Sequence, residues 1–190
     1  MPLAPHRAGI AAAIALLIAL SPIASAGENC ELQGGREIGD GNNSVLIATH
    51  SAFDPYRYVM VDTVYLDGSH LSQLSNYQQA RLRTTFKQAI EHDWQERLGW
   101  QSSKRAGHHV LRLNIHINDI VVDGSTTMML DASLSDSLTG VPLMTQCNET
   151  LNVSPQVAAL DSGDSRFWNQ LQNSVRHWGA GLGSHIMTPY

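Results

Sequence analysis

Residues 109–118 read His109-Val110-Leu111-Arg112-Leu113-Asn114-Ile115-His116-Ile117-Asn118, and their period is two. Leu111, Leu113, Ile115 and Ile117 fall on one side while Arg112, Asn114, His116 and Asn118 fall on the other, which is the pattern of a β-strand with one buried and one wet face. Downstream, Asp123-Gly124 marks a turn, and Met128, Leu130, Ala132 and Leu134 make the apolar side of a second strand. Asp136-Ser137-Leu138-Thr139-Gly140 reads as a hairpin connection in which Gly140 supplies a positive φ. A third strand follows from about Val141 to Val153, so the three form an antiparallel meander.

Upstream, Tyr58 to Leu66 is a strand whose two alternating sets, Val59, Val61, Thr63, Tyr65 and Tyr58, Met60, Asp62, Val64, Leu66, are both largely apolar. That composition predicts an interior strand covered on much of both faces. A long amphipathic helix comes next, opened by Ser72 or Ser75, the latter with Gln78 three residues on as a capping box. Leu82, Phe86, Ile90, Trp94 and Leu98 recur every four residues, and Gly99 suits the C-cap. Most of the charged residues between Arg81 and Arg97 fall off this stripe and read as solvated. A second helix follows Asp161-Ser162-Gly163-Asp164, with Trp168, Leu171, Val175, Trp178 and Leu182 as its stripe. Gly179, Gly181 and Gly183 each cost about 1 kcal/mol against Ala in a helix interior, so its last turns are either tightly packed or frayed. The order strand, helix, three strands, helix predicts an α+β domain: a mostly antiparallel sheet of about four to five strands with two long helices packed on one face.

The N-terminus has another character. His6 and Arg7 precede an apolar stretch from Ile10 to Leu20, and Ala24 and Ala26 supply the A-x-A pattern of a signal-peptidase site. Residues 1–26 are expected to be a signal peptide cleaved before Gly27. Residues 27–57 read as an irregular segment with a short edge strand at Val45-Leu46-Ile47-Ala48, and residues 58–190 as the α+β domain. No segment reaches the roughly 20 apolar residues of a membrane span, so no transmembrane anchor is expected; peripheral membrane association stays open. Gly27-Glu28-Asn29 before Cys30 does not make a lipid-modification box, so no lipid anchor is expected either.

Arg7 is the one charged residue of the signal, so the mature chain keeps eleven basic and seventeen acidic residues and a formal charge of −6. Without a Lys/Arg run this mildly acidic surface offers nucleic acid no electrostatic footprint. The two cysteines, Cys30 and Cys147, are an even count in an oxidising compartment and are expected to pair. A redox role wants closer spacing, such as C-x-x-C.

Catalytic and cofactor signals are thin. His108 and His116 share strand parity but stand about 26 Å apart at ~3.3 Å per residue, and His177 and His185 are separated by about 12 Å of helical rise. His92 and Glu96, at i,i+4, read as a surface pair. There is no G-x-S-x-G elbow, and Asp40 to Ser44 and Asp161 to Asp164 lack the ligand spacing of a calcium loop. No catalytic residue, metal site or cofactor is assigned. What remains is a surface: Arg112, Asn114, His116 and Asn118, joined by Asp131 and Ser133 from the neighbouring strand, form a polar sheet face open to a partner or ligand.

The chain also resembles a family of proteobacterial envelope lipoproteins, the domain of unknown function 3313. The residues that carry the resemblance are Phe53-Asp54-Pro55-Tyr56-Arg57 leading into Tyr58 to Val64, the Leu111-Arg112-Leu113 strand ending in Asn118-Asp119-Ile120, Asp136 to Gly140, and a final helix with Trp168 and Trp178. The resemblance covers most of residues 50–185 and implies an envelope location; it brings no catalytic or binding residues. The expectation is therefore an exported, periplasmic or secreted domain of the cell envelope, non-enzymatic, acting through contacts with an envelope protein or surface. The competing readings are a hydrolase or metal-dependent enzyme with a site assembled from distant residues, and a small-molecule or toxin-neutralising binder.

Overall fold

A computed structural model of the chain describes residues 35–38, 44–68, 70–71, 74–123, 125–153 and 165–187. The expected signal peptide and cleavage site, Cys30 and the expected cap at Asp161 to Asp164 lie outside the described residues. The elements are β1 (Arg36–Ile38), β2 (Ser44–Ile47), a 3-10 turn (His50–Ala52), β3 (Tyr58–Leu66), α1 (Asn76–Leu98), β4 (Gln101–Ser102), β5 (Val110–Asp123), β6 (Ser125–Asp136), β7 (Pro142–Val153) and α2 (Ser165–Met187).

The sheet has seven strands in the order β1-β2-β7-β6-β5-β3-β4, not the four to five expected. The additional strands are short ones at the margins. Three residues in β1 and two in β4 are too few to show a period, and β2 lies one place in from the edge because β1 covers it. The meander of β5, β6 and β7 is antiparallel, whereas β3 runs parallel to both β4 and β5. That parallel pair needs a crossover, and α1 supplies it.

Local chemistry explains the element ends. Ser75 caps α1: its Oγ accepts from the Gln78 N–H at 3.3 Å and its own N–H donates to Gln78 Oε1 at 2.7 Å. Gly99, at φ 68°, closes the helix. The β6–β7 hairpin turns at Gly140, φ 72°, and Asp136 holds the turn by accepting from the Leu138 and Thr139 N–H groups and the Thr139 hydroxyl.

Residues of the sheet and of both helices form one buried core. Leu111, Leu113, Ile115 and Ile117 of β5 and Met128, Leu130, Ala132 and Leu134 of β6 are buried together with Leu82, Phe86, Ile90 and Trp94 of α1 and Trp168, Leu171, Val175, Trp178 and Leu182 of α2. The α2 glycines divide by position. A Cβ on Gly179 would stand 3.3 Å from Ile90 Cγ1, and one on Gly183 3.4 Å from Leu98 Cδ1, whereas one on Gly181 would meet nothing within 4 Å. Two of the three therefore let α2 lie close on α1, and the Trp94 indole N–H uses the approach to donate to the Gly179 carbonyl at 2.7 Å.

Candidate functional site

The side of β5 that turns away from this core carries Arg112, Asn114, His116 and Asn118, all half-buried. Register brings Ser133 of β6 opposite Asn114 and Asp131 opposite His116. The six residues singled out in the sequence thus share one patch of the sheet, but their roles within it differ.

Asp131 faces inward more than an open polar face implies. It is 9 % exposed, its Oδ2 accepts from Asn118 Nδ2 at 2.7 Å, and its Oδ1 accepts from the Asn148 N–H at 2.8 Å. Asn148 has φ 56° and lies where the β6–β7 register slips between Leu130 and Ala132. Asp131 and Asn118 together hold a β-bulge in β7, a structural task.

His116 stands at the centre of the exposed part. Its Nδ1 is 2.9 Å from Asp67 Oδ2, and its ring stacks on Tyr65, with centroids 4.4 Å apart and planes 15° from parallel. Tyr65 is 41 % exposed. To one side, Arg112 Nε lies 3.5 Å from Asp62 Oδ2; this is an ion pair by distance without hydrogen-bond geometry. To the other, His70 Nδ1 meets Asp119 Oδ1 at 2.9 Å. The His70 hydrogen bond, with help from the Ile120 N–H, holds the Asp119 carboxyl below its ordinary range against an opposing contribution from burial. The connection that carries Asp67 and His70 is pressed onto β5 at Gly68, where a Cβ would stand 2.4 Å from the Asn118 carbonyl oxygen. Only a residue without a side chain fits there.

Tyr65, Asp62, Asp67, His70 and Asp119 were not singled out in the sequence. In a strictly alternating strand Tyr65 lies on the side of Val59 and Val61, which is the core side. The pairing of β3 with β5 slips between Val61 and Val64, and both of those valines are buried; the irregularity turns Tyr65 to the open side and sets it across from His116. The expectation that β3 is covered on both faces holds for Val59, Met60 and Val61 and fails beyond them, where Asp62, Thr63 and Tyr65 are exposed.

Chemically the patch offers an aromatic face, one Arg–Asp ion pair, two His–carboxylate contacts and amide groups. Among the described residues no group of three or more His, Cys, Asp or Glu is placed to hold a metal ion, and His116 is joined by one carboxylate. His92 and Glu96 form an exposed pair on α1, 3.3 Å apart, and Glu96 also accepts from Arg176 of α2 at 2.8 Å. No helix among the described residues is long and apolar enough to cross a membrane. Cys147, on β7 and buried, is not a free thiol; its expected partner Cys30 lies outside the described residues.

No protein-family model matches the chain, and no curated protein matches it. Among solved structures it is similar to a protein of the domain-of-unknown-function family 330 from Xanthomonas campestris, at 8% identity and TM-score 0.44 over 70% of this chain and 85% of the other. It is also similar to the PelC dodecamer protein of Paraburkholderia phytofirmans, at 8% identity and TM-score 0.41 over 71% and 92%. A third is a lipoprotein of Neisseria meningitidis, at 12% identity and TM-score 0.36 over 65% and 98%. At these identities and scores the likeness carries nothing about function to this chain.

Proposed function

We propose that the mature chain, from Gly27, works in the cell envelope, periplasmic or secreted, as a non-enzymatic domain that binds an envelope protein through the open side of β3, β5 and β6. In this reading both helices gather on the core side of the sheet and leave the other side to the partner. A bridge between Cys30 and Cys147 pins the N-terminal segment beside β2, whose Ser44 pairs with Cys147. The chain-entropy model gives such a long loop about 4–5 kcal/mol of stabilisation. The export part rests on the N-terminal sequence alone and has its own test in mass spectrometry. The purified mature chain should begin at Gly27, carry no lipid on Cys30 and weigh two hydrogens less than its reduced form.

The observation that carries the contact reading is the exposed Tyr65 ring, fixed by its stack on His116 and framed by charges of both signs. A rigid aromatic with a polar rim costs little ordering entropy on association and is the usual form of an interface anchor. The partner that fits is a protein surface with its own polar groups, because Asp62, Asp67 and Asp119 outnumber Arg112 on this patch and give a polyanion nothing to bind.

The test is affinity capture from envelope extracts with the mature chain, with captured proteins identified by mass spectrometry. A partner bound by the native chain and by Tyr77→Ala, on the exposed start of α1, but weakened about tenfold or more by Tyr65→Ala and His116→Ala, supports the proposal. Equal capture by all four, or capture lost only with Tyr77→Ala, overturns it.

A further inference from the structure

Away from the open face, on the core side of β7, a cavity of about 410 Å³ lies between the C-terminal half of that strand and α2. Glu149, Leu151 and Asn152 line it from the strand, and Asn173, His177 and Trp178 from the helix. Its volume is in the range of small-ligand sites. The carboxyl in it is held by a relay. The Trp178 indole N–H donates to Gln146 Oε1 at 3.0 Å, and Gln146 Nε2 donates to Glu149 Oε2 at 2.8 Å. Trp178 and Gln146 are buried, so the direction of the Glu149 carboxyl is set by groups that cannot turn away. Its Oε1 has no partner among the described residues.

A carboxyl in such a place is only half supplied. One hydrogen bond from an amide does not replace the water that burial removes, and burial raises the Glu149 pKa above its ordinary value. What would complete it is a cation. Leu151 and the Trp178 indole give that cation an apolar wall on the same side, and an aromatic face is itself favourable to an ammonium or guanidinium group.

We propose that this cavity binds an organic cation, a primary ammonium on an apolar stem, with the charge on Glu149 Oε1 and the stem along Leu151 and Trp178. Asn173 and His177 line the same cavity from α2. The same chemistry is found in a free alkyl amine and in a lysine side chain presented by another protein. This site is independent of the sheet face and stands whether or not that face binds a partner.

The test uses the mature protein and three probes: 1,6-diaminohexane, N-acetyl-lysine methylamide and the neutral 1-hexanol, each followed by amide chemical-shift changes. Saturable binding of either amine, with shifts centred on residues 149–152 and 173–178 and at least tenfold weakened in Glu149→Gln, is the expected result. That variant keeps an oxygen to accept from Gln146, and its unperturbed spectrum away from the cavity certifies its fold. Tighter binding of the diamine marks a free amine as the ligand, and tighter binding of the lysine derivative marks a side chain. No saturation by either amine up to tens of millimolar, equal affinity for hexanol, or unchanged affinity in Glu149→Gln overturns the proposal.

Discussion

The Tyr56 hydroxyl donates a 2.9 Å hydrogen bond to Asp136 Oδ2, eighty residues further along the chain. The bond ties the segment entering β3 to the hairpin between β6 and β7. Burial first, then the Asp136 carboxylate, pushes the Tyr56 pKa up to about 12. Tyr56→Phe should therefore remove a tyrosine that titrates well above the ordinary range from an ultraviolet alkaline titration and lower stability by about 0.5–1.5 kcal/mol. An unchanged titration would show that the hydroxyl is not bonded in solution.

Asp136 also supports an acid-limb prediction. Its carboxyl lies below the ordinary value of 3.8, chiefly through the Thr139 N–H and also through the Thr139 and Tyr56 hydroxyls. A carboxylate depressed in the folded state adds stability above its unfolded pKa, and that contribution is lost as pH falls through the lower folded value. Unfolding measured by denaturant from pH 7 to pH 2 should show Asp136→Asn less stable than the native chain at neutral pH, with the difference shrinking below about pH 4.

His185 gives the opposite limb. Burial lowers its pKa from 6.5, so the folded state takes up this proton less readily than the unfolded chain. Its share of stability is complete above pH 6.5 and is lost as pH falls towards the lowered folded value. His185→Gln should flatten stability across that interval, as read by thermal unfolding at several pH values. A profile identical to that of the native chain would contradict the assignment.

The α2 glycines separate packing from helix propensity. Gly181→Ala, facing open space, should stabilise by about 0.5–1 kcal/mol. Gly179→Ala brings a methyl against Ile90 and should be at least about 1 kcal/mol less stable than Gly181→Ala, since a packed core resists added volume. Chemical denaturation of both variants checks this, and equal gains at the two sites would show that the helices are not in close contact there.

Much of this fold is legible in the sequence where one element is long and has one dry side. The period of two in residues 111–117 and 128–134, the four-residue spacing from Leu82 to Trp94, the caps at Ser75 and Gly99 and the hairpin turn at Gly140 each name a local structure whose cause is local. The seven-strand sheet is not legible to the same degree, because β1 and β4 are too short to carry a period and take their shape from the strands beside them.

The site shows the same division. Arg112, Asn114 and His116 are found by alternation, but the Tyr65 that stacks on His116 is hidden by an irregularity that reverses its parity, and no residue type at Asp62 or Thr63 announces it. Asp67 and His70 come to the patch because Gly68 rests on the Asn118 carbonyl, a long-range contact. The hydrogen bonds of Asp131 at the bulge are not legible in the sequence, because the bulge at Asn148 arises only once β6 and β7 are paired.

Tyr65 as the mark of the contact surface is tested by photocrosslinking in living cells with a benzoyl-phenylalanine placed at position 65 or at position 77. A discrete crosslinked partner is expected from position 65, the same protein in repeated trials, and none from position 77. A partner captured from position 77 alone, or no adduct from position 65 in cells that export the chain, would contradict it.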